Sequence, residues 1–148
     1  MLAENKLFAT LGTNVGKLFL MNDDNSGRGK EILFSDTIGF IRDLPPQLIQ
    51  AFKSTLEDSI ESDVLFHVVD ASDPFVDERI NIVNEILDSI GAKQPRVLVF
   101  NKLDLCNQVI LAQLKHRYDD QECLRISVVQ EKGLEELKEW VRNFFSKK

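Results

Sequence analysis

Val97-Leu98-Val99-Phe100 runs without a break into Asn101-Lys102-Leu103-Asp104. Four consecutive apolar residues read as a strand covered on both faces, because a strand with one wet face would alternate apolar and polar residues. The same pattern recurs upstream in Val64-Leu65-Phe66-His67-Val68-Val69. Between the two runs, Ile80, Val83, Leu87 and Ile90 fall at helical spacing, and Gly91 supplies a stop. Downstream, a helix near Val109 to Tyr118 is followed by a short strand, Cys123 to Ile126. A last helix carries Leu134, Leu137, Val141 and Phe144 on one side. Strands alternating with helices predict an α/β fold with a mostly parallel sheet. Nearer the start, Val15 to Leu20 and Glu31 to Ser35 read as strands. The turn cluster Asn22-Asp23-Asp24-Asn25-Ser26-Gly27 joins them into a hairpin. Pro45 and Pro46 open a further helix, with Leu48, Ile49, Phe52, Leu56 and Ile60 on one face. There is no internal repeat, low-complexity tract or linker.

In parallel sheets, ligands sit beyond the carboxyl ends of the strands, so the residues that follow each strand carry the functional reading. After Ser35 comes Asp36-Thr37-Ile38-Gly39. An Asp there can hold magnesium through water, and a Gly lets its backbone N–H approach a terminal phosphate. After Phe100, the segment Asn101-Lys102-Leu103-Asp104 matches the guanine-reading pattern NKxD. The Asp104 carboxylate can accept the ring N–H and the exocyclic amine of guanine together. Adenine lacks that donor pair and would leave the carboxylate unpaired. The Lys102 stem can lie along the base plane. After the last strand, Ser127 is either a contact to the guanine carbonyl or a turn serine.

Several stretches together resemble one family. Asn5-Lys6-Leu7-Phe8-Ala9-Thr10-Leu11 is similar to the switch region of HflX-type GTPases, which are themselves similar to the Obg and Era groups. Ser35-Asp36-Thr37-Ile38-Gly39-Phe40-Ile41-Arg42-Asp43-Leu44-Pro45 resembles the second switch. Ala51 to Glu57 and His67-Val68-Val69-Asp70-Ala71-Ser72 resemble the segments that follow it. The resemblance implies a Ras-like P-loop GTPase fold and GTP or GDP with Mg2+ as cofactors. It also implies cytoplasmic GTP hydrolysis coupled to the large ribosomal subunit. By position, Thr10 and Asp36 would serve the metal. Phe8, Ala9, Leu11 and Gly12 would face the nucleotide, Gly39 would sense the γ-phosphate, and Thr37 and Ile38 would belong to the same cofactor-binding segment. Asn101, Lys102, Leu103 and Asp104 would read guanine, and Ser127, Val128 and Val129 would close the base pocket.

Against the family pattern, the sequence contains no GxxxxGK[ST] phosphate loop. It is therefore read as a partial three-layer G domain over residues 1–148, missing the first strand, that loop and the first helix, with no second domain. Gly12-Thr13-Asn14-Val15-Gly16-Lys17 imitates the loop. It is one residue short, and Leu18 stands where a Ser or Thr magnesium ligand is needed, so it reads as the entry to a hairpin strand. Phe40 follows Gly39, where Ras-like proteins place a water-orienting glutamine, and no general base is identifiable. Val128 takes a position where the family usually has a small residue. A missing central strand would leave a gap of about 10 Å, twice the usual strand spacing, between the strands ending at Ser35 and Val69. Three outcomes are open: the two edges close up, a second copy pairs with them as a homodimer, or the isolated chain folds poorly; closure or the homodimer is favoured. Two functions from different classes follow. One is a GTPase whose phosphate loop lies elsewhere, the other a non-catalytic module that keeps a ribosome or protein docking surface.

The remaining residues are read plainly. A formal charge of −6 argues against free nucleic-acid binding, and no apolar run is long enough for membrane insertion. Cys106 and Cys123 lack metal or redox spacing and read as reduced packing residues. His67 reads as a core histidine, His116 as exposed, and Trp140 as either a packing or an interface residue. Asp70 reads as a cap on the turn Ala71-Ser72-Asp73-Pro74.

Overall fold

A computed structural model describes residues 14–21, 29–36 and 61–146. The chain forms two compact units, Met1–Glu61 and Ser62–Lys148. The helix expected after Pro45 and Pro46 lies outside the described residues, as do most of the switch residues.

In the first unit, β1 (Asn14–Met21) pairs antiparallel with β2 (Gly29–Asp36), from Asn14 opposite Asp36 to Met21 opposite Gly29. This is the expected hairpin. Asn14, Val15, Gly16 and Lys17 all lie in its ladder opposite Asp36, Ser35, Phe34 and Leu33. A phosphate loop curls its backbone N–H groups around an anion, whereas these four residues extend along a strand. The faces of the hairpin differ: Leu20 and Ile32 are buried, while Phe19 and Leu33 are exposed and Lys17 pairs with Glu31.

The second unit is the α/β part. Strands β3 (Leu65–Asp70), β4 (Arg96–Asn101) and β5 (Cys123–Arg125) form a parallel sheet in the order β3-β4-β5. Helix α1 (Val76–Ser89) connects β3 to β4, α2 (Gln108–Arg117) connects β4 to β5, and α3 (Leu134–Ser146) follows. Side chains alternate across a strand, and β4 shows what its apolar run is for. Leu98 and Phe100 pack with Val69, with Val76 and Ile80 of α1, and with Leu114 of α2. Val97 and Val99 point the other way, among Ile126, Phe66, Leu134, Leu137 and Trp140. Helices therefore cover both faces, and Val99 is fully buried.

The helix ends follow the sequence cues. The Asp73 carboxylate accepts from Phe75 N at 2.9 Å just before α1, and Asp77 and Glu78 sit in its first turn, where acidic groups suit the helix dipole. Gly91, at φ +79°, ends α1 in the left-handed conformation that a glycine adopts without strain. Asn107 caps α2 by accepting from Ile110 N at 2.9 Å. The two helices are tied together: Arg117 and Tyr118, at the end of α2, both bond the Asp77 carboxylate on α1. Trp140 is a packing residue. Its ring meets Phe66 edge-on and stacks on Phe144, and its Nε1 donates to Glu122 at 2.6 Å. Both cysteines are half-buried free thiols, and burial pushes each above its ordinary pKa.

Candidate functional site at the carboxyl ends of β3, β4 and β5

Parallel register sets the three strand ends side by side. Asp70 pairs with Asn101, Ala71 N donates to Asn101 O at 2.9 Å, and Ile126 N donates to Phe100 O at 2.8 Å. The polar residues that follow each strand are gathered at one edge of the sheet as a result.

The turn after β4 has an unusual start. Lys102 has φ 64° and ψ 38°, in the left-handed region, which costs a non-glycine residue about 1–2 kcal/mol. That bend ends the strand and carries the chain into a 3-10 turn, Leu103–Leu105, closed by Leu105 N on Lys102 O at 3.0 Å and by Cys106 N on Leu103 O at 3.0 Å. The conformation makes Asn101, Lys102 and Asp104 diverge from one short segment. Lys102 and Asp104 are exposed, and Asn101 is half-buried.

The loop after β5 meets that turn. Ser127 is fully buried, and its hydroxyl donates to Asp104 Oδ1 at 2.7 Å. Ser127 Oγ also accepts from Gln130 N at 3.3 Å, so Ser127 shapes its own loop as well as holding the carboxylate. Asn101 Oδ1 accepts from Val128 N at 3.2 Å. The loop closes on itself through Ser127 N to Lys132 O at 2.9 Å and Lys132 N to Ser127 O at 3.0 Å. Gly133, at φ +78°, makes this possible: a Cβ there would lie 2.1 Å from Arg125 O. Val128 and Val129 stand exposed on the loop.

Asp104 is thus fixed from behind by one hydroxyl on Oδ1. Among the described residues, no hydrogen bond reaches its Oδ2. An exposed carboxylate with one oriented oxygen and further acceptor capacity fits a ligand edge that presents two N–H donors.

Asp70 completes the edge. Its Oδ1 accepts from Ser72 N at 2.9 Å and Ser72 Oγ at 2.6 Å, the expected turn cap. Its Oδ2 also pairs with Lys102 Nζ at 3.1 Å, a contact that no local pattern announces. Partial burial pushes this carboxyl up, but the bonds from Ser72 and Lys102 outweigh it and hold Asp70 below the usual carboxylate range. His67, in the middle of β3, is driven down to about 4 by burial first and by the Arg96 charge second, so it is neutral at physiological pH. His116 is exposed, as expected.

Of the residues expected to serve a nucleotide, the structure brings together Asn101, Lys102, Leu103, Asp104, Ser127, Val128 and Val129. Asp36 is the last residue of β2, at the strand-end position expected of it, and its side chain lies outside the described residues. Phe8, Ala9, Thr10, Leu11, Gly12, Thr37, Ile38 and Gly39 also lie outside them. Among the described residues, no helix is long and apolar enough to cross a membrane.

Comparison with known proteins is consistent with this geometry. Residues 1–102 match the family model described as 50S ribosome-binding GTPase. The chain is 39% identical over 137 residues to GTPase HflX of Treponema denticola, covering 91% of this chain and 34% of that protein. It is 43% identical over 138 residues to GTPase HflX of Lacrimispora saccharolytica, covering 92% and 30%. Over 103 residues it is 47% identical to GTPase HflX of Caldanaerobacter subterraneus, covering 69% and 23%. The chain thus spans about a quarter to a third of the length of these relatives. Among solved structures, it is similar to a mutation variant of SsGBP, with a TM-score of 0.66 at 25% identity over 96% of this chain and 52% of that one. It also shares the fold of Era solved with MgGDPNP and a segment of 16S ribosomal RNA, with a TM-score of 0.63 at 20% identity over 89% and 44%.

Proposed function

The chain belongs to the 50S ribosome-binding GTPase family and is of the HflX type, and on that premise we propose that the edge formed by Asn101–Asp104 and Ser127–Val129 binds the guanine base of GTP and GDP. The observation that carries this is the Ser127 hydroxyl on Asp104 Oδ1 at 2.7 Å. That bond orients the carboxylate so that two lone pairs can meet the ring N–H and exocyclic amine of guanine, while the Lys102 stem covers the base plane. Asn101 acts indirectly, tying the Ser127 loop to the end of β4 through Val128 N.

Magnesium would be held by Thr10 and Asp36, and when bound would neutralise charge on the phosphates as water attacks the γ-phosphate. Coupling to the large ribosomal subunit is the corresponding role of the family to which this domain would contribute.

The sequence has no GxxxxGK[ST] segment, and the charge-assisted phosphate bonds such a loop supplies are worth roughly 1.5–3 kcal/mol each. The 148-residue polypeptide alone should therefore bind GDP and GTP about a thousandfold or more weakly than a domain with that loop. It should hydrolyse GTP at no useful rate.

The base assignment is tested by Asp104→Asn. The amide can direct an N–H donor where the carboxylate offered an acceptor, so binding should shift from guanine to xanthine nucleotide, whose ring carries a carbonyl at the position of the guanine amine. An unchanged preference for guanine would remove Asp104 from the site.

A further inference from the structure

Two features of Asp70 are separable. Its Oδ1 is occupied by both donors of Ser72, at 2.9 and 2.6 Å, and this is enough to make the turn after β3. Its Oδ2 is not needed for the turn and lies 3.1 Å from Lys102 Nζ. The two residues are 32 apart in sequence, so the contact is set by the β3–β4 register, in which Asp70 stands beside Asn101. Lys102 leaves the backbone from a left-handed residue that is fixed between the strand and the 3-10 turn. With the backbone fixed at one end and the ammonium at the other, the four-carbon stem is confined across the ends of β3 and β4. A free lysine side chain loses rotamer entropy on being immobilised by a ligand. A lysine already held loses less.

We propose that Asp70 is a positioning residue for nucleotide binding: it anchors the Lys102 ammonium so that the lysine stem is laid out in advance along the base that Asp104 reads. The proposal rests on the guanine reading of Asn101–Asp104. Asp70 touches no part of the base itself. Its ionised state is maintained by the bonds from Ser72 and Lys102, so the anchor is charged at neutral pH.

The test uses the whole 148-residue chain, isotopically labelled for NMR, in four forms: unsubstituted, Asp70→Asn, Lys102→Met and the double variant. In Asp70→Asn the single carbonyl oxygen is claimed by the two Ser72 donors, so the turn survives and the amide NH2 is presented to Lys102, which loses its acceptor. Lys102→Met keeps an apolar stem and removes the ammonium. Each form is titrated with GDP at millimolar concentration, with ADP as the reference.

Asp70→Asn should weaken GDP binding about two- to fivefold, the scale of an exposed ion pair. It should leave the amide signals of Ala71 and Ser72 in place and raise the mobility of the Lys102 side chain in the nucleotide-free chain. In the Lys102→Met background, Asp70→Asn should have no further effect. The same loss in both backgrounds, or a Lys102 side chain equally ordered with and without the Asp70 charge, would overturn the proposal. An unsubstituted chain showing no GDP-dependent change at Asn101–Asp104 would overturn the guanine reading and the role of Asp70 with it. GDP binding with additive variants would remove Asp70 alone. Should Asp70→Asn fail to fold, the unsubstituted nucleotide-free chain gives the readout: its Lys102 side chain should be ordered against Asp70, and a Lys102 side chain as mobile as the other exposed lysines would overturn the proposal.

Discussion

The β1–β2 hairpin and strand β4 show two ways of making a strand, and the difference decides where function can sit. In the hairpin, Leu20 and Ile32 are buried at 6% and 7% exposure while Phe19 and Leu33 stand at 59% and 60%. In β4, Val97, Leu98, Val99 and Phe100 are all at 4% or below. A strand enclosed on both faces has little freedom to shift, because every residue is held by packing on one side or the other. The polar residues that follow it, Asn101 to Asp104, inherit that fixed position. Rigid placement of a few exposed polar groups at the end of a buried strand is what a base-reading site requires.

The largest effect should come from the buried side chains of β4. Phe100→Ala removes a ring that packs among Val69, Ile80, Leu98 and Leu114 and touches Tyr118 at 5.6 Å between ring centres. A loss of about 3–5 kcal/mol is expected, read from urea unfolding. A loss below about 1 kcal/mol would mean that β4 is not enclosed on both faces.

The neighbouring strand supplies a pH-dependent test. His67 is held at about 4 by burial and by Arg96. The unfolded chain takes up a proton on this residue near pH 6.5, and the folded chain resists until about pH 4. The contribution of a neutral His67 is therefore complete above pH 6.5 and is lost as pH falls from 6.5 to 4, to a total of about 3 kcal/mol. His67→Gln should flatten the stability profile in that window, and an equally steep profile in the variant would place the titration elsewhere.

The loop after β5 should be next in sensitivity. Gly133→Ala forces a Cβ into Arg125 O at a positive φ and should cost about 1–3 kcal/mol. Because that glycine sets the loop carrying Ser127, guanine binding should fall as well. The smallest effect belongs to the exposed face of the hairpin, where Leu33→Ser should change stability by no more than about 0.5 kcal/mol. A large loss there would show that this face is covered and that the contrast with β4 does not hold.

Strand β4 and its following motif were legible in the sequence because double-sided burial writes an uninterrupted apolar run, and because NKxD is a local pattern; the like run in β3 does not carry the same burial, since Val68 there is exposed. The hairpin was legible from the turn cluster between two apolar runs, and the short spacing and Leu18 marked Gly12 to Lys17 as an imitation of a phosphate loop. The roles of Ser127 and Asp70 were only half visible. The sequence allows Ser127 to be a turn serine or a pocket residue. Its hydroxyl bonds Asp104, a contact joining residues 23 apart that nothing near it in the chain announces. Asp70 was read as a turn cap, which it is, but its bond to Lys102 depends on the β3–β4 register rather than on anything near it in the chain. Local patterns announce residue types, whereas pairings between strand ends are set by sheet order and register.

The central claim, that the ends of β4 and β5 form a guanine-reading edge, is tested most directly by NMR titration of the 148-residue chain with GDP and ADP in magnesium. The account predicts weak, saturable shifts at Asn101–Asp104 and Ser127–Val129 with millimolar GDP, none with ADP, and loss of the response in Asp104→Ala. Equal responses to both nucleotides, or none to GDP at these residues, would contradict it.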